Sequence, residues 1–285
     1  MTEKIKLVAC DMDGTLLNKE KLISQQNIDA IKKLRSRGIY FVIATGRHDS
    51  MITTYLDILG IEMPVISCNG AMVREPFSGR MFSSIPLKSE QILDVVEISK
   101  TYAADYHIFG RDVIYGETLT SKLSDYNIRN VVNSERDQIK LFVSEDYKSY
   151  IEENSGELYK VLIIPSRRED FAEIQKDVFK KTGLDAFQSD VSLLDVAQKG
   201  ISKAHALDSL CKELNIRQDE TAAIGDYLND LEMIQYAGVG IAMKNAVPEL
   251  KDAAQIVTEK TNDESAVAEA LERLLDLTRE PSLCC

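Results

Sequence analysis

A short apolar run at residues 6–10 ends in Asp11-Met12-Asp13-Gly14-Thr15-Leu16-Leu17: two carboxylates one residue apart, then a glycine. A strand of that composition belongs inside a core, and carboxylates at its exit are costly unless a cation, a proton or chemistry compensates them. The chain must therefore fold so that a buried strand opens onto a site.

The next segments repeat that design. Residues 39–44 form a second apolar strand, preceded by a helix whose Ile28, Ile31 and Leu34 share one face, with Ser24 placed to cap it and Gly38 to end it. Residues 65–68 give a third strand after a helical stretch at 51–59. Buried strands alternating with amphipathic helices predict an α/β fold built on a doubly wound parallel sheet.

The rhythm changes after about residue 82. Strand patterns at 106–109, 113–115, 139–143 and 160–164 are mixed with helical ones at 90–100 and 170–181, which predicts an α+β insert with partly antiparallel pairing. From Ser192 the α/β pattern resumes. Residues 193–196 lead into a helix carrying Ala204, Leu207, Leu210 and Leu214, a strand at 221–224 ends in Gly225-Asp226, and short strands at 239–242 and 256–257 precede a closing helix at 264–277. The order predicts a core of residues 1–83 and 191–285 interrupted by a second domain at 84–190, with a cleft between them as the natural substrate position.

Composition narrows the partners. The 46 acidic residues outnumber the 34 basic ones, and no Lys/Arg block or regular aromatic interleaving occurs, so a nucleic-acid groove is not expected. A small anionic substrate fits, because a bound cation reverses the local field. No signal peptide and no run long enough to span a bilayer is seen, and no membrane partner is expected. The five cysteines (Cys10, Cys68, Cys211, Cys284 and Cys285) show no CxxC or Cys/His metal spacing, which points to free thiols in a reducing cytoplasm. The terminal Cys284-Cys285 pair lacks a lipidation pattern and reads as an incidental tail.

In a parallel α/β core the carboxyl ends of the strands share one edge, where ligands collect. Four strand exits carry chemistry: Asp11/Asp13, Thr45-Gly46-Arg47, Asn69-Gly70, and Gly225-Asp226 with Asn229-Asp230. Oxygen ligands such as Asp11 and Asp226, with no histidine nearby, favour Mg²⁺ over zinc, although a lone Asp there also serves as a helix cap or turn residue. Asp11 is placed to attack phosphorus and form an aspartyl-phosphate, with Asp13 just beyond it to protonate the leaving alkoxide and later take a proton from water. Thr45 and Gly46 offer a hydroxyl and amides for phosphoryl oxygens; Arg47 suits either phosphate or surface acids. A cation opposite the metal is still required, and Lys203 and Lys199 are both candidates. No GxGxxG follows the first strand and no GxxxxGK occurs, so neither a dinucleotide fold nor a nucleotide-hydrolysing loop is indicated.

Taken in order, these motifs resemble the haloacid dehalogenase (HAD) superfamily of phosphohydrolases, in its Cof-type, sugar-phosphatase-like subfamily IIB. Cys10 to Leu17 is similar to the first motif, Ile43-Ala44-Thr45-Gly46-Arg47 to the second, Gly200-Ile201-Ser202-Lys203 to the third, and Ile224-Gly225-Asp226-Tyr227-Leu228-Asn229-Asp230 to the fourth. The resemblance implies a Rossmann-like core with an inserted α+β cap of type C2B that selects the substrate. It implies Asp11 as nucleophile and metal ligand, Asp13 as acid/base with its carbonyl also on the metal, and Asp226 as a further ligand of Mg²⁺. It chooses Lys203 over Lys199 and implies Thr45, Gly46, Lys203 and Asn229 on phosphate, supported by Arg47, Asn69 and Asp230. Tyr227-Leu228, Lys244 and Asp195 depart from the common pattern, leaving the catalytic set intact.

The function so implied is Mg²⁺-dependent hydrolysis of a small phosphomonoester, a sugar phosphate or similar metabolite. His107, Phe109, Arg111, Tyr115 and Lys122 are the polar or aromatic candidates for contacts to the leaving group, though each also suits plain packing or solvation. A sugar phosphomutase and a non-enzymatic phosphoryl-accepting or metabolite-binding regulatory protein are the alternatives. The pattern is compatible with a monomer or a homodimer.

Overall fold

A computed structural model describes residues 5–133, 135–190 and 192–277 of the chain; Cys284 and Cys285 lie outside them. The chain forms two compact units. One comprises the described residues of Met1–Thr45, Tyr55–Ser83 and Ser202–Cys285, the other Gly46–Thr54 and Ser84–Ile201.

The first unit is built on a five-stranded parallel sheet in the order Ile256–Val257, Val239–Ala242, Thr221–Gly225, Leu7–Cys10, Tyr40–Ile43. Leu7–Cys10 is buried at every position, as a central strand covered on both faces requires. Its register pairs Cys10 with Ile224 on one side and Ile43 on the other. The next residues of all three strands therefore leave the sheet at one level. That edge carries Asp11, Thr45 and Asp226. A parallel bridge from Ala44 to Ile66 brings the short strand Val65–Ser67 alongside.

The helices follow the sequence signals. Gln25–Arg35 buries Ile28, Ile31 and Leu34, and its cap Ser24 accepts a hydrogen bond from the Asn27 amide. It packs against the amphipathic helix Ala266–Leu277. Lys203–Glu213 starts at Ser202, whose side chain accepts from the His205 amide. Gly70, at φ +100°, lies so close to the Ser202 carbonyl that any Cβ would collide with it, so this contact needs glycine.

The second unit holds a six-stranded sheet in the order Asp185–Asp190, Leu193–Ala197, Leu158–Ile164, Asp105–Gly110, Val113–Gly116, Lys140–Val143. Its pairings are antiparallel except for the parallel pair Val113–Gly116 with Lys140–Val143. One face is apolar: Tyr106, Ile108, Tyr115, Val161, Ile163, Leu194 and Val196 pack into one cluster with side chains from the helices Ser89–Thr101, Tyr147–Glu153 and Phe171–Thr182. By strand alternation His107, Phe109, Lys160, Leu162 and Asp195 belong to the other face.

One strand lies elsewhere than its sequence pattern suggests. The pattern makes residues 193–196 the opening of the returning parallel core; Leu193–Ala197 instead pairs antiparallel with Leu158–Ile164 in the six-stranded sheet. So short a run, Leu193-Leu194-Asp195-Val196, carries no record of its partner's direction, and both kinds of buried strand look alike in sequence.

Candidate active site

Asp11 follows the last residue of the central strand, and its amide donates to Ile224 O at 2.9 Å, which continues the ladder and fixes its position. The side chain is buried. Lys203, fully buried on the first turn of its helix, places Nζ 2.6 Å from Asp11 Oδ1 and 2.6 Å from Asp230 Oδ1. An ammonium has three N–H bonds, so one remains beyond the two carboxylates. The other oxygen of Asp230 accepts from the amides of Asp226 at 3.0 Å and Tyr227 at 3.2 Å, which locks the loop after Thr221–Gly225. The Thr15 hydroxyl donates to Asp226 Oδ1 at 2.8 Å.

Gly14, at φ +82°, permits this packing, because a Cβ there would strike the Asp226 carboxylate. Asn69 sits in the left-handed region at φ 56°. Its amide donates to Thr45 O at 3.1 Å and its side-chain oxygen accepts from Asn229 Nδ2 at 3.1 Å. Thr45 is buried and its amide donates to Ile66 O at 2.8 Å. Asp13 is part-exposed and forms an ion pair with Lys21 at 2.7 Å.

Ligand oxygens of Asp11, Asp226 and Asp230 lie within 4.8 Å of one another. Burial, then repulsion from Asp230, push the Asp11 carboxyl well above the usual range, Lys203 opposing. The same two causes in the same order push Asp226 up to about 7. Burial alone pulls the Lys203 ammonium down, yet Asp11 and Asp230 hold it above its ordinary value. One lysine thus faces three crowded carboxylates. A hard divalent cation among these oxygens removes the excess charge, and an all-oxygen donor set suits Mg²⁺, so the cluster is a candidate divalent-metal site.

The sequence candidates divide clearly. Asp11, Lys203, Asp226 and Asp230 form one connected group, and Thr45, Asn69 and Asn229 form a second chain of contacts at the same sheet edge. The Asp13 carboxylate is not in the three-carboxylate cluster. Gly46 and Arg47 belong with the second unit.

Of the candidates on the six-stranded sheet, His107 is buried with Nε2 2.8 Å from Thr120 Oγ1, and burial, aided by Lys122 and Lys160, takes its pKa down to about 4. Phe109 is buried against Lys160. Arg111 forms an exposed ion pair with Glu157, and Lys122 is half-buried. Tyr115 stacks on Tyr150 in the helix-covered core and donates to Ser144 O.

Two site contacts lie outside the sequence candidates. Thr15 carries a weak signal, a hydroxyl directly after the Asp-x-Asp-Gly turn. Lys21 carries none, since its contact with Asp13 depends on a left-handed residue in a polar turn.

The fold, the four sheet-edge motifs and the carboxylate–lysine cluster define a class. The chain belongs to the haloacid dehalogenase-like hydrolases, whose family profile matches residues 8–271. Within that family it is a phosphatase of the Cof-type, subfamily IIB branch. It is 32% identical to the phosphatase YwpJ of Bacillus subtilis over 95% of this chain and 100% of that protein. It is 28% identical to the 5-amino-6-(5-phospho-D-ribitylamino)uracil phosphatase YitU of the same organism over 97% and 100% of the two chains. A crystal structure of a haloacid dehalogenase-like hydrolase from Bacteroides thetaiotaomicron superposes with a TM-score of 0.82 at 28% identity, covering 95% of this chain and 100% of that one.

Proposed function

We propose that the chain hydrolyses a small phosphomonoester through an aspartyl-phosphate on Asp11, with Mg²⁺ as its cofactor. The observation that carries this reading is the Lys203 ammonium, shared at 2.6 Å between Asp11 and Asp230 within a cluster of three carboxylates. That arrangement holds a nucleophilic carboxylate in one orientation and leaves a cationic donor for an incoming phosphoryl oxygen.

Asp11, Asp226 and the Asp13 carbonyl are the residues that would hold the metal, which supplies charge neutralisation so that an anionic nucleophile and an anionic phosphate can meet. A carboxylate oxygen of Asp11 attacks phosphorus while the bond to the leaving oxygen breaks, and Asp13 gives that oxygen a proton. Asp13 then takes a proton from water, whose oxygen attacks phosphorus and breaks the acyl–phosphate bond. Phosphate leaves and Asp11 is restored. Thr45, Gly46, Asn229 and the remaining Lys203 N–H hold the phosphoryl oxygens, with Asn69 orienting Asn229 and Asp230 orienting Lys203.

The substrate class is a sugar phosphate or a similar phosphorylated metabolite, selected by the inserted domain at 84–190. Three similar Bacillus subtilis proteins are named as phosphatases of a ribityl phosphate, a phosphomonoester on a polyol chain, which supports that class. His107 and Phe109, on the face of the inserted sheet away from its helix-covered core, suit leaving-group recognition better than Tyr115. The test is a phosphomonoester panel assayed with purified protein and Mg²⁺. Turnover that disappears on chelation and in Asp11→Asn is expected, and equal rates in wild type and Asp11→Asn would refute the assignment.

A further inference from the structure

Lys160 interrupts an otherwise buried strand, Leu158–Ile164, and is itself only 4% exposed. Its Nζ lies 3.1 Å from Asp195, which is 2% exposed, and 4.4 Å from the centre of the Phe109 ring. The same ammonium donates to the backbone carbonyl of Gly46 at 2.8 Å. Two residues on, the buried His48 ring places Nε2 2.8 Å from Gly110 O, while Nδ1 lies 2.8 Å from Ser50 Oγ. The turn that follows Thr45 is thus tied down by side chains at two points.

A buried ion pair is a poor device for stability alone, since apolar side chains of similar volume usually do as well or better. A directed hydrogen bond to one carbonyl is something apolar packing cannot supply. The carbonyl chosen is that of a glycine, whose missing Cβ leaves the following peptide free to rotate between orientations. In a trans peptide the C=O and the next N–H point in opposite directions. Holding Gly46 O on Lys160 therefore also fixes the direction of the Arg47 N–H.

We infer that Lys160, held by Asp195, is a positioning residue that locks the Gly46–Arg47 peptide, whose N–H is a proposed phosphate donor of this segment. The inference rests on the phosphatase reading for the ligand of that turn. It adds two residues, Lys160 and Asp195, that act on the ligand only through the orientation of that peptide.

The decisive variant is Lys160→Met/Asp195→Leu, which removes both charges of the pair together. Its thermal midpoint should equal or exceed that of the wild type. Orthophosphate binding with Mg²⁺, measured by calorimetry, should nevertheless weaken about tenfold or more, and kcat should fall with it, as expected when donors lose their alignment. The Arg47 amide signal in ¹⁵N-resolved NMR should shift or broaden. The pair Lys160→Leu/Asp195→Asn, which also removes the donor to Gly46 O, supplies a second reading if the first variant folds poorly, and the same losses are expected.

Native orthophosphate affinity and kcat in a folded double variant would overturn the inference and leave the pair as packing. A raised KM confined to large substrates, with orthophosphate binding intact, would also overturn it, in favour of direct leaving-group contact. Orthophosphate binding is read without turnover. A wild-type protein that binds phosphate but hydrolyses no phosphomonoester would defeat the phosphatase reading while the comparison of variants still decides the role of Lys160.

Discussion

The Lys203 ammonium lies 2.6 Å from Asp11 Oδ1 across 192 residues of chain, and both groups are buried. Asp230 completes the contact at 2.6 Å, so among the described residues the lysine is the one cation paired with the three clustered carboxylates. Its removal leaves Asp11 and Asp230 buried without compensation. Lys203→Met should lose about 3–5 kcal/mol of stability, the usual cost of breaking a buried pair from one side. Chemical denaturation with and without Mg²⁺ measures this, and a loss below about 1 kcal/mol would show that the carboxylates share a proton instead.

Replacing Asp11, the proposed nucleophile, should act in the opposite direction on the fold. Asp11→Asn removes one of three mutually repelling carboxylates, so its thermal midpoint without metal should match or exceed that of the wild type, while turnover falls to background. Asp13→Asn keeps the proposed nucleophile and removes the proposed proton carrier. A fall in kcat of about 10²–10⁴-fold is expected, smaller for substrates whose leaving group needs no proton. Comparing p-nitrophenyl phosphate with a sugar phosphate separates the two effects, and an equal loss on both would remove Asp13 from the acid role.

Much of this site is legible in the sequence because each chemical group sits directly after an apolar run. The pattern alone puts Asp11, Thr45 and Asp226 at strand exits, and parallel pairing in register brings those exits to one level. Lys203 is separated from Lys199 only by family resemblance, since helix position, not composition, decides which ammonium turns inward. The strand Leu193–Ala197 joins a different sheet from the one its pattern suggests, because so short a buried run does not encode its partner. Lys160 does leave a trace in the sequence: a lone charge within six buried or nearly buried neighbours demands a partner, although nothing in the pattern says that the partner is Asp195.

Gly14→Ala tests how tightly the first turn is fitted. The backbone is at φ +82°, and the added methyl group would meet the Asp226 carboxylate. Strain and displacement together should cost about 1–3 kcal/mol. Because Asp226 is moved rather than removed, Mg²⁺ affinity should fall while the wild-type order of substrate preference persists. Calorimetric titration with Mg²⁺ reads the first, and unchanged affinity would mean that Asp226 does not bind the metal.

The crowding of carboxylates also sets a pH dependence. The Asp226 carboxyl is raised by burial, and then by Asp230, from the ordinary 3.8 to about 7, so between those values the folded protein holds a proton that the unfolded chain has released. Folding stability without metal should therefore fall as pH rises through that interval, with the contribution fully present below about pH 4 and lost above about pH 7. Asp11, raised for the same reasons, adds in the same direction. A divalent cation competes with these protons, so the rise in thermal midpoint on adding Mg²⁺ should be small at about pH 5 and larger at about pH 8. Melting curves at the two pH values, with Mg²⁺ and with chelator, decide the matter. A midpoint shift independent of pH would mean that the metal is held by groups other than the buried carboxylates.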